Sequence, residues 1–204
     1  MRMKRFIRLY FSIIFGILLG ITIAYYGFVK APNAPMTQGI AGTPIGGSLA
    51  GLLDQNGVTV DDARFAGKAQ LVFFGFTHCP SICPTELQKI TVTLKNLSEG
   101  DRAKLAPIFI SVDPERDTPD VMKNYLAMFD PAITGLTGTP DQIAKIKSDW
   151  KVYSSKSALG ADGDYTVDHS AYTYFRGADG ALIALFSGTD GADIMASKVK
   201  EYLD

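Results

Sequence analysis

The sequence AQLVFFGFTHCPSICPTEL, residues 69–87, decides the fold because its pattern changes within a few positions. Residues 69–76 form an unbroken apolar and aromatic run, which is typical of a strand covered on both faces. After the turn, Pro84 suits the first turn of a helix, and apolar residues recur at three and four positions from Leu87 to Leu97. The stretch therefore predicts a buried strand, a short turn and an amphipathic helix.

The sequence that follows predicts the rest of a layered fold. Residues 105–113, LAPIFISVD, indicate a second buried strand, and a strand–helix–strand order favours a parallel pair with a right-handed crossover. Thr-Pro-Asp occurs at 118–120 and at 139–141, and each copy predicts a helix with a hydroxyl cap and proline in its first turn. Residues 171–175 and 181–188 predict an antiparallel hairpin, and the chain ends in an amphipathic helical pattern.

Two further signals complete the order of elements. Asn56-Gly57 lies between apolar stretches and predicts a β-hairpin at the start of the body, and a short strand is expected around Val152. The fold class is therefore α/β, with a mixed sheet flanked by helices and an added N-terminal hairpin. In open α/β sheets ligands bind at the carboxyl ends of strands, which is where the turn after residues 69–76 lies.

The N-terminal residues predict a membrane anchor. Residues 11–29 contain no charge and span roughly 28 Å as a helix, close to the thickness of a bilayer core. Residues 1–10 are basic and are expected in the cytoplasm, which places the body, residues 46–204, on the other side. Residues 30–45 are rich in proline, glycine and small residues and indicate a linker.

The alternative to a retained anchor is a cleaved signal peptide, which shares the basic start and the apolar centre. The segment ends YYGFVKAP, which lacks the small residues of a cleavage site, so the anchor is favoured. No Arg- and Ser-rich transit segment precedes the span. The expected location is therefore the bacterial inner membrane, with a single pass and a periplasmic domain.

The distribution of charge argues against a nucleic-acid partner. Five of the 20 basic residues and none of the 21 acidic residues lie in the first thirty positions, which leaves a formal charge of −6 for the rest. Binding to phosphates requires clustered lysine and arginine, so an acidic body is a poor match.

The sequence contains two cysteines, Cys79 and Cys83, at the predicted junction of strand and helix. A helix N-terminus presents unpaired N–H groups and a positive dipole end, which favour thiolate over thiol. Two thiolates this close predict either a shared soft metal ion or reversible oxidation to a disulfide. The alternatives are a static structural disulfide, which would close too short a loop to stabilise the fold much, and two buried core cysteines.

A histidine completes a candidate metal site. His169 lies in DYTVDHSAY, in a loop before the late hairpin that is expected to fold over the end of the first strand. Together with Cys79 and Cys83 it forms a Cys₂His donor set, for which Asp168 or Asp164 are candidates to orient the imidazole. His78 is a minor alternative ligand.

The sequence SVDPERDTPD, residues 111–120, ends the second parallel strand with four acids and Arg116. It lies at the same edge of the predicted sheet as the cysteines and is expected to border the site. The alternative is a solvated turn that leads into the helix capped by Thr118.

The three motifs GFTHCPSICPTEL, SVDPERDT and DYTVDHSAYTYF resemble the Sco/SenC family of membrane-anchored copper proteins. The resemblance covers roughly residue 46 to the C-terminus and implies a thioredoxin-like fold with an added hairpin. It implies that Cys79, Cys83 and His169 bind copper, as Cu(I), Cu(II) or both, and that the protein delivers copper to the Cu(A) site of cytochrome c oxidase subunit II. The residues SLAGLL depart from the aromatic-containing opening strand that is usual in the family.

The leading hypothesis is therefore a copper chaperone rather than an enzyme, with subunit II as the partner. Another periplasmic copper chaperone or a thiol reductase would be a further partner. The main alternative is a thiol–disulfide reductase in which Cys79 and Cys83 are catalytic and His169 is dispensable. The spacing of four, a third ligand and the lack of a proline beside DHSAY favour metal binding over disulfide exchange. A third hypothesis is a peroxide-reducing or redox-sensing module.

Overall fold

The computed structural model describes residues 15–20, 22, 45–158 and 165–204, which fall into two compact units, Met1–Ala34 and Pro35–Asp204. In the first unit, residues 15–20 and Thr22 are helical. No helix within the described residues is long and apolar enough to span a bilayer. The described residues exclude most of the predicted span 11–29, all of the basic residues 1–10 and nearly all of the linker.

The second unit contains all the strands among the described residues. They are β1 (Leu53–Asp54), β2 (Ala69–Gly75), β3 (Leu105–Ser111), β4 (Thr134–Thr137), β5 (Ser154–Lys156), β6 (Val167–His169), β7 (Thr173–Arg176) and β8 (Leu182–Phe186). The α-helices are α1 (Ile82–Lys95), α2 (Glu99–Ala103), α3 (Pro119–Leu126), α4 (Pro140–Asp149) and α5 (Ala192–Leu203), and a short 3₁₀ helix spans Asp62–Phe65.

Six of the strands form one mixed sheet in the order β1-β4-β3-β2-β7-β8. β2 is parallel to β3, and β3 is parallel to β4, whereas β7, β8 and β1 run antiparallel to their neighbours. The predicted parallel pair and the late hairpin are confirmed. The first hairpin is present as a tight turn in which the Asp54 N–H bonds to the Val58 carbonyl and Leu53 forms a bridge to Thr59.

The sequence patterns failed to identify β4, which pairs with both β3 and β1. Its sequence, TGLT, is short and includes a glycine, so it carries little strand signal. Gly135 lets α3 pack closely on this strand, because a Cβ atom would lie 2.5 Å from Leu126 Cδ1 and 2.8 Å from Met122 Cε, and both side chains would have to move. Helix α2 and the 3₁₀ helix were not predicted either.

The strand that was expected around Val152 begins two residues later in the sequence. The structure places it at Ser154–Lys156, outside the main sheet, where it pairs with Val167–His169 in a separate two-stranded sheet. The prediction of a loop at His169 was therefore wrong, because that residue ends a strand. The pairing partner β5 is short and polar, so the sequence gives no alternating pattern for it.

Both Thr-Pro-Asp helices begin as predicted. The Thr118 hydroxyl accepts from the Val121 N–H, and Thr139 forms a complete capping box with Gln142. β2 and β3 are the central strands and are buried along almost their whole length, as their apolar runs predict. The turn that carries both cysteines leaves the carboxyl end of β2, and the 111–120 segment leaves the neighbouring end of β3.

Candidate metal centre

The two cysteines lie on either side of the start of helix α1. Cys79 is partly buried in the turn after β2, and Cys83 is completely buried in the first turn of the helix. Both are free thiols in this structure.

Glycine at the end of β2 makes room for the inner sulfur. A Cβ atom on Gly75 would lie 2.6 Å from Cys83 Sγ and 2.9 Å from Phe109 Cε2. The sulfur therefore packs directly against the strand backbone, and any larger residue at this position would displace it.

The outer sulfur takes part in starting the helix. Ser81, at the N-cap position, makes no side-chain capping bond, whereas the Cys83 N–H donates to Cys79 Sγ at 3.4 Å. One of the unpaired N–H groups at the helix start is thus satisfied by a sulfur. This bond places the Cys79 sulfur against the first turn of the helix, next to Cys83.

His169 faces this pair from the end of β6. Its Nε2 lies 3.5 Å from Cys83 Sγ, and its Nδ1 lies 3.2 Å from the Ser170 carbonyl oxygen. Because a carbonyl only accepts, this contact favours the tautomer with the proton on Nδ1, in which the lone pair of Nε2 faces Cys83. Phe73 and Phe76 contact the imidazole with their rings at steep angles, with centroids 6.1 and 5.8 Å away.

The three side chains form a compact donor set. One ligand atom from each of Cys79, Cys83 and His169 lies within 4.8 Å of the others, and no other such group of three occurs among the residues that the structure describes. Two soft sulfurs and a borderline imidazole nitrogen suit copper better than hard cations such as Mg²⁺ or Ca²⁺.

Burial sets the protonation of the site. It raises the pKa of the Cys83 thiol well above its ordinary value, and the nearby Cys79 and Asp117 act in the same direction. The prediction that the helix N-terminus favours a thiolate is thus wrong for Cys83, because loss of hydration outweighs the helix dipole. Burial also lowers the pKa of His169, which keeps the imidazole neutral and able to bind metal at neutral pH.

The predicted orienting role of Asp168 is not observed. Side chains alternate along β6, so Asp168 points to solvent while Val167 and His169 face inward, and Ser170 supplies the acceptor for Nδ1. Asp164 lies outside the described residues. His78 is exposed, lies 3.1 Å from the Thr77 hydroxyl through its Nδ1, and is not part of the donor set.

Two of the four acids of the 111–120 segment are buried, whereas Glu115 and Asp120 are exposed, as expected of a solvated turn. Asp113 and Asp117 are fully buried and accept several hydrogen bonds, some of them from the segments that carry Cys79 and His169. Sequence reasoning missed their partners Thr77 and Tyr165. One signal could have identified them, because Thr77 lies in the same short motif as Cys79 and Tyr165 in the same motif as His169.

The fold and the donor set define a thioredoxin-like protein with a Cys₂His site suited to a soft metal. The sequence matches the SCO1/SenC family model over residues 42–204, and the chain belongs to this family. The resemblance inferred from the three motifs is confirmed.

Named relatives extend from yeast to bacteria. Protein SCO2, mitochondrial, of Saccharomyces cerevisiae is 45% identical over 133 residues, 65% of this chain and 44% of that protein. A SCO2-like protein of Rickettsia felis is 36% identical over 180 residues, 85% of this chain and 87% of that protein. The alignment with the SCO2 homolog of Bos taurus spans 63% of the bovine protein.

Solved structures share the fold. ScoI of Bradyrhizobium japonicum, with copper bound, has a TM-score of 0.71 and 46% identity and covers 78% of this chain and 99% of its own. Yeast Sco1 with copper bound has a TM-score of 0.70 and 35% identity, covering 78% of this chain and 88% of its own. The predicted thioredoxin-like α/β fold is confirmed by these matches.

Proposed function

We propose that this protein is a copper chaperone that binds copper through Cys79, Cys83 and His169. It delivers the ion to the Cu(A) site of cytochrome c oxidase subunit II. The single observation that carries the proposal is the meeting of the three ligand atoms within 4.8 Å, across 86 positions of sequence between Cys83 and His169. The copper-bound structures of family members support the choice of metal.

The geometry favours a site that binds copper and also releases it. Three donors leave coordination positions open, so the thiolates and imidazoles of a recipient replace those of the chaperone one at a time. Cys79 is partly exposed, and its neighbours Pro80 and Ile82 are exposed, so a recipient loop has access to the outer sulfur. Copper is the cargo of this reaction.

A copper titration tests the proposal. The full chain in detergent, reduced under anaerobic conditions, is expected to bind one Cu(I) and, separately, one Cu(II). His169→Ala should weaken binding by about tenfold or more, since the loss of one ligand is worth at least about 1.4 kcal/mol. His78→Ala is the matched control, because it removes the other, exposed histidine. Failure of the wild type to bind copper, or equal affinity of His169→Ala and wild type, would contradict the proposal.

The membrane anchor belongs to the same proposal. Residues 11–29 hold the protein in the bacterial inner membrane, residues 1–10 remain in the cytoplasm, and the body, from residue 46, lies in the periplasm behind the linker 30–45. Fractionation of cells is expected to place the chain in the inner membrane and to release it with detergent but not with alkaline carbonate. Recovery from the periplasm without detergent would contradict the anchor.

One observation favours the alternative of a thiol–disulfide reductase. Both cysteines are free, and their sulfurs lie within 4.8 Å of each other, close enough for exchange with a disulfide of another protein. In that case His169→Ala keeps full reductase turnover, whereas Cys79→Ser or Cys83→Ser abolishes it. A turnover assay with a disulfide-containing fragment of subunit II separates the two functions, because only the chaperone requires His169.

A further inference from the structure

The loop that leaves β3, residues 111–117, contacts both segments that carry the candidate ligands. We refer to it as the 111–117 loop. The proposed function assigns no role to this motif. The side chains of its two buried aspartates, Asp113 and Asp117, bond to different residues.

Asp117 fixes the turn that carries the cysteines. Its buried carboxylate accepts from the Thr77 backbone N–H at 3.2 and 3.3 Å and from the Thr77 hydroxyl at 2.6 Å. The Ser111 hydroxyl donates to the same carboxylate at 2.6 Å. Thr77 precedes Cys79 by two residues, so these bonds fix the start of the cysteine turn against the end of β3.

Asp113 and Arg116 fix the strand that carries the histidine. Asp113 accepts from Arg116 Nε at 2.5 Å and from the Tyr165 hydroxyl at 2.8 Å. The Arg116 guanidinium lies 3.7 Å from the centroid of the Tyr165 ring, and its Nη1 donates to the Tyr165 carbonyl at 2.9 Å. The main chain and the side chain of Tyr165 are therefore both held four residues before His169.

The same loop also contacts the other strand of the small sheet. Lys156, at the end of β5, forms an ion pair with Glu115 at 2.7 Å and lies 4.8 Å from the Tyr165 ring centroid. β5 and β6 form three residue pairs only, and an isolated two-stranded hairpin is marginal in water. Contacts with the 111–117 loop therefore help to keep this hairpin against the main sheet, together with the buried Val167 and the rings that pack on His169.

We propose that the 111–117 loop sets the distance between the sulfurs and the imidazole, and that Tyr165 is the positioning residue that keeps His169 within reach of Cys83. The inference rests on the proposed copper site. Tyr165 does not touch the metal and acts only through His169. Hydrogen bonds to a buried carboxylate are among the stronger ones in proteins, which makes the Tyr165 hydroxyl an effective fixing point.

Tyr165→Phe tests the proposal, because it deletes the hydroxyl that bonds to Asp113 and Lys156 and keeps the ring on which Arg116 stacks. In the full chain, its Cu(I) affinity should fall by about 10- to 100-fold, the range for partners that orient a metal ligand. In the Cu(II) form, the nitrogen hyperfine coupling of the imidazole should weaken. Tyr153→Phe is the matched control, since the Tyr153 side chain is 65% exposed, and it should match wild type in both measurements.

A double-mutant cycle separates positioning from a general loss of structure. In a His169→Ala background, Tyr165→Phe should have no further effect on copper affinity, because the residue through which it acts is absent. An equal loss with and without His169 would overturn the positioning role. Thiol–disulfide exchange by Cys79 and Cys83 should be unchanged in Tyr165→Phe. Asp113→Ala, as a second variant, removes the acceptor of the Tyr165 hydroxyl and should repeat the loss of affinity and the weaker coupling.

The outcomes distinguish this inference from the proposed function. A wild-type protein that binds no copper refutes both. A wild-type protein that binds copper while Tyr165→Phe binds it equally well, with the same imidazole coupling, refutes the positioning role alone.

Discussion

The two parts of the metal centre are built in different ways. The sulfur pair stands at the junction of the central strand β2 with α1, four residues apart, and the inner sulfur is packed against Gly75 in the main core. The imidazole comes from a small separate sheet, where β6 pairs only with β5. The sulfurs are therefore held by the central strand and helix, whereas the imidazole lies on a strand outside the main sheet and is held by the Phe73 and Phe76 rings, by the buried Val167 and by polar contacts. This difference allows a dithiol to persist when the third ligand is lost.

The largest effect is expected from closing the space that the inner sulfur occupies. Gly75→Ala would place a Cβ atom 2.6 Å from Cys83 Sγ, so the sulfur or the strand must move. Overpacking of this kind costs about 1–3 kcal/mol of unfolding free energy, and copper binding should be lost with it. The measurements are chemical denaturation and a copper titration of the variant.

Gly100→Ala is the control for that change. Gly100 lies in α2, where the nearest atom to an added Cβ is Ser98 Oγ at 3.8 Å. Its stability should stay the same or rise by up to about 1 kcal/mol, because alanine favours helix over glycine. If Gly75→Ala binds copper as tightly as the wild type, the strand does not fix the position of the Cys83 sulfur.

Hydrogen exchange should separate the two regions next. Amides of β2 have hydrogen-bonded neighbours on both sides, in β3 and β7, and are expected to exchange only through global unfolding. Amides of β6 should exchange through local opening, about a thousandfold faster or more. NMR-detected exchange of the apo protein measures both. Equal protection of β2 and β6 would mean that the small sheet is not a separate unit of stability.

The pH dependence of copper affinity should come from the release of protons by the thiols and not by the imidazole. Burial raises the pKa of Cys83, so its thiol is protonated at neutral pH and copper must displace that proton. Affinity should therefore rise with pH, by about tenfold per unit for each proton released. Because burial lowers the pKa of His169, the imidazole is already neutral above pH 6.5 and adds no slope there.

Variants test this assignment between pH 6.5 and 8. His169→Ala should keep the wild-type slope of log affinity against pH, and Cys83→Ser should lose about one proton from it. A flatter slope in His169→Ala would assign part of the proton release to the imidazole instead.

The smallest effect concerns a tyrosine on the sulfur side. Tyr125 packs against Phe109, with ring centroids 6.0 Å apart, and its buried hydroxyl has no hydrogen-bond partner among the described residues. Tyr125→Phe should stabilise the apo protein by about 1 kcal/mol, because the cost of burying an unpaired hydroxyl is removed. Urea denaturation measures the change. A loss of stability would indicate that the hydroxyl has a partner in solution.

The same contrast decides what the sequence could predict. The sulfur pair, β2, β3 and α1 follow from local patterns, because apolar runs and helix signals are continuous in the sequence. The small sheet does not, since the pairing of β5 with β6 depends on short polar segments with no periodicity. The Cys₂His set could be predicted from the topology and the family resemblance. The hydrogen-bond acceptor of His169 Nδ1 and the burial of the two aspartates could be found only from the coordinates. The charge state of Cys83 was missed because burial is not visible in a helix-start pattern.

Because the two sulfurs are unequally buried, they should react with another protein in a fixed order. Cys83 is completely buried, whereas Cys79 is partly buried. When the reduced pair meets a disulfide of another protein, Cys79 should attack one of its sulfurs, form the mixed disulfide and release the other sulfur as a thiol. Cys83 should then attack Cys79 Sγ, which closes the Cys79–Cys83 disulfide and releases the other protein in its reduced form. In the proposed copper transfer, the same asymmetry would make Cys83 the last ligand to leave the ion.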